Sequence, residues 1–362
     1  MHNLKLEKKE EMFKLINLGH PFIIAGPCSA ESENQVFQTA LKLSNLGIKV
    51  FRAGIWKPRT RPGNFEGVGS AGLRWLTRVK KELGLIVATE VANTSHVEAA
   101  LKNEIDILWI GARTSVNPFA VQEIADLLRG VDIPVLVKNP INPDIDLWIG
   151  AIERINKAGI KKIVAVHRGF STYDKSIYRN NPHWEIPIEL KRRIPDIFII
   201  TDPSHISGNK KLLFEISQKA MDLNFDGLMI ESHINPSQAL SDASQQVTPK
   251  ELDMILKKLI IRKSEIKDNN FMSILKELRS QIDNIDHDIL NILEKRMSVV
   301  EKIGRLKKEK NISILQTKRW DEILSKKLKE SPKKGLNTEF ILKIFEAIHE
   351  ESINHQFRIM ND

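Results

Sequence analysis

The sequence has one cysteine and two tyrosines among 362 residues, and it contains no apolar run long enough to cross a membrane. A lone cysteine excludes a disulfide within the monomer and agrees with a reducing compartment. A membrane span needs about 18 or more consecutive apolar residues, and secretion needs an apolar segment near the N-terminus. Neither is present, so we expect a cytoplasmic protein that does not bind a membrane.

Blocks of like charge are also missing. The formal net charge is +9, but lysine and arginine are spread along both halves, and aromatic residues make up only 6% of the chain. Nucleic-acid binding is therefore not expected, and most of the charge should belong to a solvated surface. Several arginines instead stand beside glycines near the ends of apolar runs, which favours small anionic ligands such as phosphates and carboxylates.

The first two thirds of the chain alternate short β-branched runs with longer amphipathic segments. Eight βα units predict a (β/α)8 TIM barrel, and an open doubly wound sheet is the alternative. The predicted strands are Phe22–Gly26, Lys49–Ala53, Ile86–Glu90, Ile107–Gly111, Pro134–Lys138, Lys162–His167, Ile197–Thr201 and Gly227–Ile230. Predicted helices between them include Asn34–Leu46, Leu73–Leu83, Asp146–Ala158 and Asn209–Leu223.

The last third has a different pattern. Apolar residues recur at steps of three and four from Met272 to near Lys310, which predicts one long helix. Two further helices are expected, from about Gln316 to Lys329 and from Thr338 to about Phe357. We therefore predict a barrel over residues 1–261, a linker over 262–271 and an all-helical domain over 272–362. So long a helix cannot bury its apolar face alone, and we expect this domain to dimerise.

Candidate metal ligands follow predicted strands. Cys28 lies in the motif GPCSAES, and the later motifs DPSH, ESH and LSD contain His205, Glu231 and Asp242. A single cysteine is more often a packing residue than a ligand, but these positions share one end of a barrel. A thiol, an imidazole and two carboxylates suit one divalent ion of the Mn, Fe, Co or Zn kind.

Cationic side chains also cluster at the predicted strand ends. The run Phe51-Arg52-Ala53-Gly54 is followed by Lys57-Pro58-Arg59-Thr60, which is either an ordinary solvated loop or an anion site. Further polar side chains at strand ends are Glu90, Arg113, Lys138 and Arg168. So many cations repel one another unless a polyanionic ligand neutralises them, so we expect phosphorylated acids as substrates.

The motifs GPCSAES, FRAGxxKPRT, GAR, HRG, DPSH and ES…SD, together with Lys138, resemble 3-deoxy-D-arabino-heptulosonate 7-phosphate (DAHP) synthase of the type I beta group over about residues 20–261. The resemblance implies condensation of phosphoenolpyruvate with erythrose 4-phosphate at the entry to the shikimate pathway. It implies that Lys57 is catalytic and that the metal ligands are Cys28, His205, Glu231 and Asp242.

The same resemblance assigns the substrate contacts. Arg52, Arg113, Lys138 and Arg168 would bind phosphoenolpyruvate, Arg59 and Thr60 the phosphate of erythrose 4-phosphate, and Glu90 is a further substrate-binding candidate. The alternative within this fold is 3-deoxy-D-manno-octulosonate 8-phosphate synthase. The run Lys57-Pro58-Arg59-Thr60 favours the four-carbon sugar over that alternative.

In the tail, Arg279 and Arg296 lie 17 residues apart and Arg296 and Lys307 lie 11 apart, so they fall on similar faces of a helix and a dicarboxylate could sit between them. An exposed charged coiled coil is the alternative. These spacings resemble the all-helical chorismate mutase over about residues 272–358. The resemblance implies rearrangement of chorismate to prephenate, with catalytic and substrate-binding residues Arg279, Arg296, Lys307, Gln316, Arg319, Ser352 and Gln356.

Arg279 is expected to reach the active site of the partner protomer. Gln316 stands where that family usually has Asp, and Trp320 where it usually has Glu. Gln316 can still bond a substrate hydroxyl, whereas an indole cannot accept a hydrogen bond. This departure sustains a second hypothesis, in which the tail is mainly a sensor that binds chorismate or prephenate and inhibits the barrel.

Overall fold

The protein is described here by a computed structural model that covers residues 4–9, 11–12, 21–58, 63–173, 176–262 and 268–361. The chain divides into two compact units, Met1–Ser264 and Glu265–Asp362. Among the described residues, no helix is both long enough and apolar enough to cross a membrane.

The first unit is a closed barrel of eight parallel strands that pair in chain order. The strands are β1 Phe22–Gly26, β2 Val50–Arg52, β3 Ile86–Val91, β4 Ile107–Ile110, β5 Val135–Lys138, β6 Ile163–His167, β7 Phe198–Thr201 and β8 Gly227–Glu231. Pairing of β1 with β8, with Gly26 opposite Glu231, closes the barrel. The predicted TIM barrel is confirmed, each strand end differs from its prediction by at most one residue, and the alternative of an open sheet is wrong.

Along the chain, the helices of this unit lie between the strands, and the last of them follows β8. They are α1 Glu33–Asn45, α2 Ala71–Leu83, α3 Thr94–Lys102, α4 Pro118–Leu127, α5 Ile145–Lys157, α6 Glu185–Arg193, α7 Pro203–Ser207, α8 Leu213–Asp222 and α9 Pro249–Lys258. Several begin at a capping side chain: Ser32 accepts from the backbone of Gln35, and Asp144 accepts from Leu147. The predicted helix Asn209–Leu223 instead starts with a short 3-10 turn and becomes α-helical at Leu213.

Two apolar layers hold the barrel together. One layer fills the interior of the barrel and includes Phe22, Trp109 and Phe198, and the other lies between the strands and the helices. Met12, from the segment that precedes β1, is buried within the interior layer. Filling the interior leaves the carboxyl ends of the strands as the place for polar chemistry.

The second unit consists of α10 Asn269–Glu309, α11 Thr317–Glu330 and α12 Thr338–Asn361. The three predicted helices are present. Helix α10 begins three residues before Met272, because Asp268 caps it by accepting from the backbone of Asn270 and Phe271. The first part of α10 exposes large apolar side chains, among them Ile282, Ile285 and Ile289 at 50–58% of their surface.

Candidate active site

Three of the four predicted metal ligands meet at the carboxyl ends of the strands. Cys28 follows β1, Glu231 ends β8, and Asp242 lies on the loop beyond β8. One ligand atom from each residue lies within 4.8 Å of the others. The Cys28 Sγ atom lies 3.3 Å from Asp242 Oδ2. Gly26 lets the end of β1 lie close to the end of β2, because a Cβ there would lie 2.0 Å from the Arg52 carbonyl oxygen.

The Glu231 carboxylate has two unlike oxygens. Oε2 accepts a 2.6 Å hydrogen bond from Gln245 Nε2. Oε1 is buried and accepts no hydrogen bond within the described part of the chain, although Arg52 Nη2 lies 3.4 Å away and His205 Nε2 3.7 Å away. A buried carboxylate oxygen without a donor is costly unless a cation neutralises it, so Oε1 is free to be a ligand.

His205, the fourth predicted ligand, lies on the short helix α7, for which the sequence pattern predicts no helix. Its Nδ1 atom lies 2.8 Å from Asp202 Oδ2, which fixes the ring and directs Nε2 toward Glu231. Burial lowers the pKa of His205 despite the neighbouring carboxylates, which favours the neutral imidazole that a metal requires. The helix was missed because five residues are too few to show a helical period.

The protonation of this cluster agrees with a metal site. Burial and the Glu231 charge raise the pKa of the Cys28 thiol to about 12, so the thiol keeps its proton unless a cation compensates. The pKa of Asp242 lies well below its usual range although the group is largely buried, because the neighbouring Arg179 guanidinium stabilises its charge. A thiol, an imidazole and two carboxylates in this arrangement fit a borderline divalent ion.

Lys57 lies against the same cluster. Its Nζ atom is 3.1 Å from Cys28 Sγ and 3.0 Å from the Cys28 carbonyl oxygen. Burial alone would lower the pKa of Lys57, but Cys28, Glu90 and Glu231 outweigh it and raise that pKa. The ammonium therefore stays protonated at neutral pH, between the candidate metal ligands and the adjacent pocket.

That pocket opens at the strand ends and is strongly polar. Its lining consists of Lys57, Pro58, Glu90, Gly111, Ala112, Arg113, Lys138, Arg168, Arg179, His205 and Asp242. Gly111 makes room for Glu90, since a Cβ there would lie 2.0 Å from Glu90 Oε1. Burial lowers the pKa of Arg168 to about 10, yet this guanidinium remains charged at neutral pH.

Arg52 lies below the pocket and is almost fully buried. Its guanidinium carbon sits 4.7 Å from the centre of the Trp109 ring, and Nη2 lies 3.3 Å from the Cys28 carbonyl oxygen. Lys138 is buried beside it and pairs with Asp202 at 2.7 Å. Buried carboxylates therefore neutralise part of this cationic cluster before any substrate binds.

Two predicted site residues of the barrel are not described by the structure, and three residues of the site were not predicted. Arg59 and Thr60 lie outside the described residues. Arg179, Asp202 and Gln245 were not predicted: Arg179 lines the pocket and lies 3.0 Å from Asp242 Oδ1. Asp202 is the first residue of the DPSH motif and directly follows β7. An acidic residue at a strand end beside His205 was the signal that could have identified it.

In the helical unit the structure joins several predicted residues. Arg296 on α10 donates a 2.5 Å hydrogen bond to Ser352 Oγ on α12. Lys307 donates to the Ile314 carbonyl oxygen at 2.6 Å. Gln356 is nine-tenths buried, and its Oε1 atom has no hydrogen-bond partner among the described residues. Arg296, Ser352 and Gln356 form a polar site between α10 and α12, since Gln356 Nε2 also donates to the Ser352 carbonyl oxygen at 3.3 Å.

Other predicted residues of this unit are not joined to that site. Arg319 is exposed and pairs with Glu322 at 3.0 Å, and Gln316 precedes α11 without capping it through its side chain. Trp320 stacks on His349 with ring centres 4.1 Å apart, so it has a packing partner. None of these three observations assigns its residue a contact with a ligand.

Arg279 is exposed on the same continuous helix as Arg296. Their separation of 17 residues corresponds to roughly 26 Å along the helix axis. The suggestion that one dicarboxylate lies between Arg279 and Arg296 of the same protomer is therefore wrong. Only the expectation that Arg279 serves a partner protomer remains open.

The fold and the strand-end cluster define a (β/α)8-barrel enzyme for small anionic substrates. The model of the DAHP synthetase I family matches residues 10–268, and that of chorismate mutase type II matches residues 278–357. The chain therefore belongs to the DAHP synthetase I family, and a chorismate mutase type II domain follows the barrel in sequence. The two matches support both predicted activities, DAHP synthase and chorismate mutase.

Individual relatives match the barrel part of the chain; the one with the higher identity is a DAHP synthase, and another carries the activity of the octulosonate alternative. The phospho-2-dehydro-3-deoxyheptonate aldolase of Thermotoga maritima is 34% identical over 248 residues, which is 67% of this chain and 71% of that protein. A crystal structure of the Thermotoga maritima DAHP synthase superposes with a TM-score of 0.60 at 32% identity, covering 65% of this chain and 67% of that one. The 2-dehydro-3-deoxyphosphooctonate aldolase of Variovorax paradoxus is 28% identical over 278 residues, which is 71% of this chain and 95% of that protein.

Proposed function

We propose that the barrel holds one divalent metal ion through Cys28, His205, Glu231 and Asp242, and condenses phosphoenolpyruvate with erythrose 4-phosphate beside it. The observation that carries this proposal is the meeting of three candidate ligands within 4.8 Å next to a cation-lined pocket. When bound, the ion supplies Lewis acidity to the aldehyde of the sugar phosphate.

The residues of the pocket bind and orient the substrates. Arg113, Lys138 and Arg168 take the phosphate and carboxylate of phosphoenolpyruvate, and Arg52 adds charge from below. By resemblance, Arg59 and Thr60 hold the phosphate of erythrose 4-phosphate, and Glu90 limits the pocket beside Gly111.

Lys57 supplies a proton. Carbon 3 of phosphoenolpyruvate bonds to the aldehyde carbon, water adds at carbon 2, and phosphate leaves. The raised pKa of Lys57 keeps its ammonium charged until the aldehyde oxygen develops negative charge and can accept the proton. Substituting Lys57 by Met should therefore lower turnover more than it weakens substrate binding.

Removal of the metal tests the site directly. Treatment with EDTA should abolish condensation and leave chorismate rearrangement intact, because every proposed ligand lies in the barrel and the rearrangement needs no metal. Both activities would be assayed on the same sample before and after Mn²⁺ is restored. Cys28→Ala should reproduce the effect of EDTA. Equal loss of both activities in a folded sample would contradict the proposed separation of sites.

We propose further that Arg296, Lys307 and Gln356 perform the mutase reaction. The reaction needs no nucleophile: Arg296 and Arg319 hold the carboxylates of chorismate in its compact conformer, with Ser352 orienting Arg296. Lys307 and the Gln356 amide nitrogen Nε2, which also donates to the Ser352 carbonyl oxygen at 3.3 Å, stabilise charge on the ether oxygen as that bond breaks. Gln316 would bond the substrate hydroxyl, and Arg279 would complete the site of a partner protomer.

Arg296→Ala tests this assignment. Loss of a bidentate grip on a carboxylate should cost on the order of 2–4 kcal/mol of transition-state stabilisation. Mutase turnover would be measured beside condensation, which should not change. Arg305→Ala, on an exposed position of the same helix, is the matched control. Normal chorismate consumption by Arg296→Ala would show that the site lies elsewhere.

Three finer points belong to the same proposal. The helical domain pairs with a second copy through the exposed apolar face of α10, and the functional division follows residues 1–261, 262–271 and 272–362.

Prephenate bound at the helical domain inhibits the barrel, because a mutase fused to an earlier enzyme of the same route gains nothing from direct transfer of substrate. A sensor with weak mutase activity is the second candidate, supported by Trp320 packing on His349 in place of a ligand contact.

A further inference from the structure

Two residues outside the proposed ligand set connect its two carboxylates. Arg179 Nη1 lies 3.0 Å from Asp242 Oδ1 and donates a 2.7 Å hydrogen bond to Gln245 Oε1. Gln245 Nε2 then donates a 2.6 Å hydrogen bond to Glu231 Oε2. The bonds form one chain from Asp242 through Arg179 and Gln245 to Glu231, which we call the carboxylate clamp.

The carboxylate clamp binds one oxygen of each carboxylate, Asp242 Oδ1 and Glu231 Oε2, and does not contact the second oxygen of either. The remaining oxygen of Asp242, Oδ2, lies 3.3 Å from Cys28 Sγ. The remaining oxygen of Glu231, Oε1, has no hydrogen-bond partner in the described part of the chain and faces His205 Nε2. The two oxygens that the clamp does not bind therefore belong to the same cluster as the thiol and the imidazole.

Each member of the clamp has only limited freedom. Gln245 is fully buried, and its amide is used at both ends, so it cannot turn without breaking a bond. Asp242 has a φ of 50°, a left-handed conformation that a non-glycine residue adopts only when its surroundings hold it. Arg179 is joined through its backbone to Ser207 on α7, the helix that carries His205.

We propose that Arg179 and Gln245 are positioning residues for the metal site, which hold the Glu231 and Asp242 carboxylates so that Oε1 and Oδ2 face the ion. This inference rests on the metal site of the proposed function. Groups that orient metal ligands commonly change metal affinity by about 10- to 100-fold when they are removed. The clamp accordingly contributes to affinity without contacting the ion.

Gln245→Leu isolates the positioning role, because Gln245 does not line the pocket and the substitution changes no charge. Titration of the metal-free full-length protein with Mn²⁺ by calorimetry should show roughly 10-fold or greater weakening. The absorption spectrum of the Co²⁺-loaded protein, which reports the geometry of the ligands, should also change. Affinity within twofold of wild type with an unchanged Co²⁺ spectrum would overturn the proposal.

Arg179→Met gives a second test, and the sign of its effect matters. If Arg179 acted only through its charge, removing a cation near Asp242 would tighten Mn²⁺ binding; loss of positioning instead weakens it. Tighter binding would overturn the role of Arg179. Because this side chain is 44% exposed, the variant should fold even where Gln245→Leu does not. Arg179→Lys, which keeps the charge but not the fork, should restore only part of the affinity.

The chain contains a matched control pair. Arg154 donates a 2.9 Å hydrogen bond to Gln122 Oε1 between α4 and α5, away from the ligands. Gln122→Leu and Arg154→Met should leave Mn²⁺ affinity unchanged, and thermal unfolding would confirm the fold of every variant. Wild-type protein that binds no Mn²⁺, or Cys28→Ala that binds it normally, would refute the metal site itself. A failure of the clamp alone would leave both of those results as expected.

Discussion

His167 is a buried histidine whose protonation should control stability. Its Nε2 atom lies 2.6 Å from the Pro182 carbonyl oxygen and donates to it, while Nδ1 is buried without a hydrogen-bond partner in the described residues. Burial lowers the pKa of His167 to about 4. Protonation would place a second N–H where nothing accepts it, so the folded protein disfavours the charged ring.

The direction of the pH dependence follows. An unfolded chain binds this proton below pH about 6.5, whereas the folded protein binds it only below about 4, so stability is lost as pH falls through that interval. The loss attributable to His167 is on the order of 3 kcal/mol. Urea unfolding at pH 7 and at pH 4.5 should show a smaller difference for His167→Asn than for wild type. Equal differences would show that His167 does not carry this dependence.

Single residues also show what a sequence can and cannot predict. Cys28, His205, Glu231 and Asp242 could be found because each lies in a short motif that follows a strand. Arg179 and Gln245 could not, because they are 66 residues apart in sequence and their role depends on which oxygen of each carboxylate they approach. Hydrophobic periodicity carries no information on such a choice.

Helices and strands were predicted well where they are long enough, or apolar enough, to leave a clear pattern in the sequence. All eight strands of the barrel read as short β-branched runs, since both faces of a parallel barrel are buried. Helix α7 was missed, and with it the fact that Asp202 caps the helix that carries His205: its side chain accepts from His205 N at 3.1 Å. Local capping of five residues leaves no periodic signal.

Helix α10 exposes a row of apolar residues that a second copy should cover. Leu278, Ile282, Ile285 and Ile289 are each exposed by 50–58% and recur at steps of three and four. Ile285→Asp should therefore shift the protein toward a smaller assembly, measured by light scattering and sedimentation. Mutase activity should fall with it, because Arg279 would no longer reach a partner's site.

Asn284→Asp is the matched control for this helix, since it adds the same charge at a neighbouring exposed position outside the apolar row. It should leave the assembly unchanged. If Ile285→Asp keeps the size and the mutase activity of the wild type, the apolar face of α10 is not the contact between copies.

At the scale of the whole molecule, the sequence indicated two units from a change of pattern, and the chain does divide after Ser264. Each unit has its own buried polar site, one at the strand ends and one between α10 and α12. Whether a ligand at one site changes the affinity of the other site depends on free-energy differences between liganded and unliganded states of the protein. Composition and periodicity describe only one state and therefore do not determine it.

The proposed inhibition by prephenate is a coupling between these two sites, and coupling free energy must be reciprocal. Prephenate should weaken binding of phosphoenolpyruvate by the same factor by which phosphoenolpyruvate weakens binding of prephenate. Both factors can be measured by calorimetry on the full chain. Arg296→Ala should remove prephenate inhibition while leaving condensation intact, because the inhibitor loses its carboxylate contact. A chain that ends at Ile261 should also condense its substrates without responding to prephenate, and persistent inhibition of that barrel would place the inhibitory site in the barrel instead.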